Sequence, residues 1–180
     1  KNIHMKILFT GGGSGGHFYP IIAVAQKLKV LLEKEKINDV EFFFMSTDPY
    51  DELVLHDNEI VFKRVTAGKL RTYFSIENIT DVFRTAGGII KAFFQMFSLY
   101  PDIIFSKGGY ASFPTLVAAR FFRIPVIIHE SDSVPGRVNL WSGKFAQKIA
   151  ISYPEASVYF PEGRVALTGN PIRHELLRPS

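Results

Sequence analysis

Seven short runs rich in β-branched and aromatic residues recur along this 180-residue chain, at 6–10, 40–46, 60–66, 102–106, 126–130, 148–152 and 164–168. Several are apolar almost throughout, as strands are when both faces of a parallel sheet are covered. Helical patterns lie between them. Ile21, Val24, Ala25, Leu28, Leu31 and Leu32 repeat at three or four residues behind Pro20, which suits a first helical turn. Ser75 is an N-cap for a helix running toward Leu99, and two more helices are expected at 113–122, with Pro114 in the first turn, and at 137–145. The alternation predicts an α/β fold: a Rossmann-like, doubly wound parallel sheet with helices on both faces. A chain this short, 47% hydrophobic, fills one core. That domain should span 1–170, with 171–180 beginning a connection to something more.

Composition removes several classes of function. With no cysteine there is no disulfide scaffold, thiolate metal site or cysteine nucleophile. The balance of 21 Lys and Arg against 17 Asp and Glu is too mild, and too scattered among apolar residues, for a nucleic-acid partner. No run approaches the roughly 18 apolar residues of a membrane span, and the first residues lead into a strand rather than a signal peptide, so a soluble or peripheral protein is expected. No Asp-x-Asp metal motif occurs. No metal ligand or cofactor is therefore expected in this domain, which leaves open a divalent cation held elsewhere.

The first strand ends in Gly11-Gly12-Gly13-Ser14-Gly15-Gly16-His17. Glycines let the backbone turn sharply and bring N–H groups to an anion, with the following helix dipole adding partial positive charge. Gly11, Gly13 and Gly16 also satisfy the dinucleotide fingerprint G-x-G-x-x-G. The acid that should close the second strand is missing, because that strand ends in Ser46-Thr47 and Asp48 comes late, so an NAD-binding reading is weak. His17, beside a helix N-terminus, is either a general base kept neutral or a residue capping the turn.

A second glycine loop, Ser106-Lys107-Gly108-Gly109-Tyr110, follows the fourth strand. In the strand order 3-2-1-4-5 it adjoins the first at the topological switch point, so the pair can grip a diphosphate or merely permit tight packing. The fifth strand brings His129-Glu130-Ser131-Asp132 to the same edge, where Glu130 either orients a sugar hydroxyl or His17, or holds loop backbone.

Together with Ala67-Gly68-Lys69-Leu70-Arg71, Pro135-Gly136 and Thr168-Gly169-Asn170-Pro171-Ile172-Arg173, these motifs resemble the MurG family, in family order along the whole chain. Its members are bacterial GlcNAc transferases that complete the lipid-linked peptidoglycan precursor. The resemblance covers the N-terminal half of a two-domain GT-B glycosyltransferase and implies an absent C-terminal domain, this domain's partner, that holds most of UDP-GlcNAc. It implies that Gly12, Gly13, Ser14, Gly15, Gly16, Lys107, Gly108, Gly109 and Tyr110 bind the acceptor diphosphate. His17, with Glu130, would serve catalysis by deprotonating the C4 hydroxyl of N-acetylmuramic acid on an undecaprenyl-linked muramyl-peptide acceptor. Transfer would invert the sugar without a covalent intermediate. Ser14, Gly15, Gly16 and Arg173 match positions that reach UDP-GlcNAc. One departure is Ser131-Asp132 where the commoner pattern is Gln-Asn; a carboxylate repels a nucleotide phosphate, so that donor contact is not carried over.

A polyprenyl-linked acceptor implies contact with the anionic inner membrane surface, at the cytoplasmic face of the bacterial plasma membrane. In the helix after Ser75, the stripe Ile76, Ile79, Phe83, Ala86, Ile90, Phe93 and Phe97 is expected to face the core. A second set, Val82, Ile89 and Met96, together with Phe121 and Phe122 and the cations Arg84, Lys91 and Arg123, is expected to face lipid. The bland alternative is a fully buried helix. A function of another class also stays open, a non-catalytic subunit holding acceptor and membrane for a separate nucleotide-binding chain, although the residues before Met5 and the close at Pro179-Ser180 favour a longer chain cut short.

Overall fold

The computed structural model describes residues 4–12, 14–37, 39–69 and 77–172. Seven strands, β1 (Met5–Thr10), β2 (Val40–Ser46), β3 (Ile60–Arg64), β4 (Ile103–Ser106), β5 (Val126–Glu130), β6 (Lys148–Ile151) and β7 (Val165–Leu167), form one sheet in the order β3-β2-β1-β4-β5-β6-β7. Every pairing is parallel. The helices are α1 (Gly15–Lys34), α2 (Glu52–Asp57), α3 (Glu77–Leu99), α4 (Phe113–Phe122) and α5 (Arg137–Ser142). The doubly wound sheet expected from the sequence is present, its switch point between β1 and β4.

Alternation along the central strands divides the core in two. Ile7, Phe9, Phe42 and Phe44 pack with Phe18, Ile21, Ile22 and Ala25 of α1 and Leu55 of α2. Leu8, Phe43, Met45 and Ile104 pack on the other side with Ala92 and Met96 of α3 and Leu116, Ala118 and Ala119 of α4.

Two expectations change, and one helix lies where none was expected. Helix α2 has little apolar periodicity; Asp51 caps it by accepting the Val54 N–H at 3.1 Å. Helix α5 stops at Ser142 rather than 145. Helix α1 begins at Gly15, so His17 lies inside its first turn and Pro20 comes later than an opening turn. Proline has no N–H, so the Gly16 carbonyl is left without its i+4 partner at the sheet edge where ligands bind.

The largest correction concerns α3. Met96, expected toward lipid, is fully buried and Ile89 is half-buried, whereas Phe83, Phe94 and Phe97 are each 73% exposed and Ile90 60%. Ile76 and the side chain of Ile79 lie outside the described residues. The packed face is the one carrying small residues. A Cβ at Gly88 would fall 1.6 Å from the Thr66 carbonyl oxygen, a contact only glycine permits, and Ala92 and Met96 continue that stripe inward. Close approach decides the rotation, because a phenylalanine at 88 or 92 would hold the helix off the sheet. Of the other residues expected toward lipid, Val82, Arg84, Lys91, Phe121 and Arg123 are exposed. Phe122 is half-buried, with its ring 5.6 Å from that of Phe93.

Candidate active site

Both glycine loops and the end of β5 converge on a cavity of about 600 Å³ at the carboxyl edge of the sheet. One backbone bond joins the two loops, and two hydroxyl bonds tie the first loop to the end of β2. The Lys107 N–H donates to the Thr10 carbonyl at 2.9 Å, the Thr10 hydroxyl to the Met45 carbonyl at 2.8 Å, and the Ser46 hydroxyl to the Gly11 carbonyl at 2.7 Å. Thr10 and Ser46 are buried hydroxyls that satisfy strand-end carbonyls where the ladder stops.

Gly109 has φ +83° and ψ 162°, a region essentially reserved for glycine. A Cβ there would lie 2.8 Å from the Gly12 carbonyl oxygen and 3.3 Å from His17 Nε2. The second loop therefore passes directly over the first, and His17 Nε2 faces the seam between them. Gly12, at φ +143°, has Ser46 Oγ where a Cβ would stand, 2.5 Å away. Gly13 lies outside the described residues. Gly15 and Gly16 open α1 behind Ser14, the N-cap, whose hydroxyl is 2.9 Å from His17 Nδ1. When Nδ1 carries the proton and donates to Ser14, Nε2 keeps its lone pair toward the cavity. Burial pushes the His17 pKa below the ordinary histidine value; Lys107 adds to that, and Glu130 and Asp132 oppose it.

Lys107 is 2% exposed, with Nζ donating to Ser131 Oγ at 2.6 Å. Its pKa is lowered by burial, against the pull of Glu130 and Asp132. Tyr110 begins the turn into α4, and Lys69 Nζ sits 5.3 Å from its ring centroid.

Glu130 is buried and fully engaged. One oxygen accepts the Asp132 N–H at 2.9 Å, and the other accepts the Gly136 N–H at 3.1 Å and Asn139 Nδ2 at 3.0 Å. It shares no hydrogen bond with His17 among the described residues, and its influence there is Coulombic. Asp132 is exposed beside it at the cavity mouth. Arg173 lies outside the described residues.

Sequence reasoning missed several contributors. Asn139 joins the His129 carbonyl to Glu130 and stands against Gly108, where a Cβ would be 2.5 Å from its Oδ1. Tyr50 closes over the first loop, its hydroxyl 2.6 Å from a Cβ placed on Gly15. Phe113 and Val138 give the cavity an apolar wall, and Gly68 and Thr85 carry it to α3. A lone asparagine among the apolar residues of α5 and a lone tyrosine in a short polar segment carry no periodicity by which to find them. Beyond Asp132, a second cleft of about 590 Å³ lies among Gly16, Pro20, Tyr153 and Asn170. His129 Nε2 contacts the Gly169 carbonyl at 3.0 Å, pinning the chain as it leaves the sheet. Among the described residues no three histidine or carboxylate side chains form a metal-binding group.

A seven-stranded parallel sheet with two glycine loops crossing at its switch point is the architecture of one half of a GT-B glycosyltransferase. This chain belongs to glycosyltransferase family 28, as its N-terminal domain; the family model matches residues 7–151. It is 41% identical over 181 residues to the Borrelia hermsii UDP-N-acetylglucosamine–N-acetylmuramyl-(pentapeptide) pyrophosphoryl-undecaprenol N-acetylglucosamine transferase, covering 99% of this chain and 49% of that protein. To the Lachnospira eligens protein of the same name it is 43% identical over 96% of this chain and 47% of that protein. Among solved structures, Acinetobacter baumannii MurG superposes with a TM-score of 0.70 at 24% identity, over 97% of this chain and 48% of that one. This chain thus spans about half the length of the curated relatives it matches.

Proposed function

We propose that this chain is the acceptor-binding half of an inverting glycosyltransferase that moves N-acetylglucosamine from UDP-GlcNAc to the C4 hydroxyl of N-acetylmuramic acid carried on undecaprenyl diphosphate. The observation that carries the reading is His17 Nε2 facing the seam of two crossed glycine loops, with Nδ1 against Ser14. A base must be neutral to accept a proton, and burial favours the neutral ring. The loops and Lys107 take the acceptor diphosphate, and His17 takes the hydroxyl proton at Nε2. The oxygen attacks C1 of the donor sugar from the face opposite UDP. The bond from C1 to the diphosphate breaks with its electron pair leaving on UDP, configuration inverts, and the imidazolium returns its proton to solvent. Glu130 acts through the 131–139 loop that it holds and through its charge. Ser14, Gly15, Gly16 and Arg173 meet the donor from this side, and a C-terminal domain holds the rest of it.

The lipid end of the acceptor requires a bilayer nearby. No described helix is long and apolar enough to cross a membrane. The exposed face of α3, with Phe83, Ile90, Phe94 and Phe97 flanked by Arg84 and Lys91, instead supports peripheral docking on the cytoplasmic leaflet. Each cation contributes about 1 kcal/mol near an anionic surface.

The test is transfer of labelled GlcNAc to a lipid-linked muramyl acceptor by a protein joining this half to a donor-binding half. His17→Ala should lower turnover by about 10²- to 10⁴-fold with donor affinity unchanged. Undiminished turnover would remove His17 from the role of base, and absence of transfer by the unaltered protein would overturn the activity itself.

A further inference from the structure

We infer that His129 is a positioning residue for sugar transfer: its bond to the Gly169 carbonyl sets the direction in which the chain leaves this half, and so how the donor-binding half closes over the cavity. The inference rests on the two-domain reading above and adds to it the contact that aligns the halves.

Neighbouring residues at the end of β5 serve opposite sides of the sheet, because side chains alternate along a strand. Glu130 holds the 131–139 loop. His129 turns to the other layer, 1% exposed, with its ring 6.5 Å from that of Phe105. Its Nε2 is 3.0 Å from the Gly169 carbonyl oxygen, an acceptor only, so Nε2 carries the proton and donates it. Nδ1 is then a bare lone pair, buried and with no partner among the described residues. An orphaned interior acceptor is a penalty that leucine at the same place would avoid. What the imidazole supplies against it is a donor aimed at a carbonyl forty residues away.

That carbonyl belongs to a joint. Gly169 is left-handed at φ +73°, and nothing lies within 4 Å of an added Cβ, so conformation rather than crowding asks for glycine. Asn170 precedes Pro171, which confines it to extended backbone. The Thr168 and Gly169 N–H groups both donate to the Ile151 carbonyl, at 2.9 and 3.3 Å, and the Thr168 hydroxyl donates to the Gly169 carbonyl at 3.2 Å. The Ser152 hydroxyl donates to Asn170 Oδ1 at 2.8 Å. Those bonds stay within the β6 and β7 edge, whereas His129 joins that edge to the strand that carries Glu130. Asn170 also lines the 590 Å³ cleft with Gly16, Ser131 and Asp132. A turn of the joint therefore moves one wall of the space beside the start of α1, where the donor is proposed to reach. The matched family domain is an N-terminal one, so on the two-domain reading the chain beyond Gly169 leads to the donor half. A donor that touches both halves binds with an apparent affinity that falls with the fraction of molecules whose halves are aligned. The acceptor, held by this half, does not sense that fraction.

The test uses the protein that joins both halves. His129→Leu should raise KM for UDP-GlcNAc about two- to tenfold, the range that one neutral hydrogen bond is worth, with kcat and the acceptor KM unchanged. His129→Gln, whose amide nitrogen reaches the place of Nε2, should restore the donor KM. Gly169→Ala shifts the joint without touching a buried side chain and should also raise the donor KM. Gly163→Ala should not, although Gly163 is equally left-handed at φ +77° and equally uncrowded. Lys27→Cys, on the exposed side of α1 in a chain with no other cysteine, takes a spin label whose distances to a label on the donor half should broaden in His129→Leu and Gly169→Ala only. An unchanged donor KM with unbroadened distances in those two variants would overturn the role of His129. So would an equal rise in acceptor KM, or failure of glutamine to restore what leucine loses. Absence of transfer by the unaltered protein would instead overturn the proposed activity, and the label distances would still decide whether His129 sets the joint.

Discussion

Gly109→Ala tests whether the two loops must cross in contact. The perturbation is one methyl group placed where the backbone has φ +83° and ψ 162°, 2.8 Å from the Gly12 carbonyl oxygen and 3.3 Å from His17 Nε2. Backbone strain in a glycine-only region costs about 1–3 kcal/mol, and forcing a methyl group into a packed contact costs about 1–3 kcal/mol more. Restriction of the unfolded chain by alanine returns about 0.4–1 kcal/mol, leaving a net loss of roughly 2–5 kcal/mol. Gly163→Ala supplies the comparison, since Gly163 has φ +77° but nothing within 4 Å of an added Cβ; its cost should be about 1 kcal/mol. Urea unfolding of both variants, with unchanged m-values, measures the difference. In the transfer assay Gly109→Ala should also lose activity while still folded, because the methyl group enters the space before Nε2, and Gly163→Ala should not. Equal destabilisation of the two variants, or full activity in Gly109→Ala, would refute the crossed-loop geometry.

Three further outcomes follow from the same packing. Glu130→Ala leaves the Asp132 and Gly136 N–H groups and Asn139 Nδ2 without their acceptor, so unfolding should cost about 1–3 kcal/mol less, with hydrogen exchange rising first in 131–139. Met96→Ala, at a fully buried position, should cost about 2–5 kcal/mol, whereas Phe94→Ser, at an exposed one, should leave urea stability nearly unchanged and weaken vesicle binding; the reverse pattern would restore the rotation of α3 expected from periodicity. Burial lowers the pKa of His17 and of His129, so between their folded values and about 6.5 the unfolded chain binds more protons. The histidine contribution to stability should therefore rise with pH through that window and level off on either side of it, and His17→Ala should flatten the slope in pH-dependent unfolding.

Where sequence reading succeeded, the physics was local. Strand runs of Val, Ile and Phe announce themselves because a covered parallel strand must be apolar along its length, and glycines after β1 and β4 mark sharp turns at strand ends. The motifs placed His17, Lys107 and Glu130 near one edge because topology brings strand ends together. Their mutual roles were not legible, since Glu130 spends its oxygens on Asp132, Gly136 and Asn139, and a carboxylate's partners cannot be counted from its neighbours in sequence.

Helix α3 marks the boundary most clearly. Its sequence specified an amphipathic segment with more apolar residues than one face needs, just as the rest of the chain specified the α/β class and the glycine loops. Which face is buried depended on the Thr66 carbonyl meeting Gly88, a contact between segments twenty-two residues apart. Hydrophobicity is additive along a chain and can be read from it. Steric fit between distant segments, such as the crossing of the second glycine loop over the first before His17, exists only once the chain has folded.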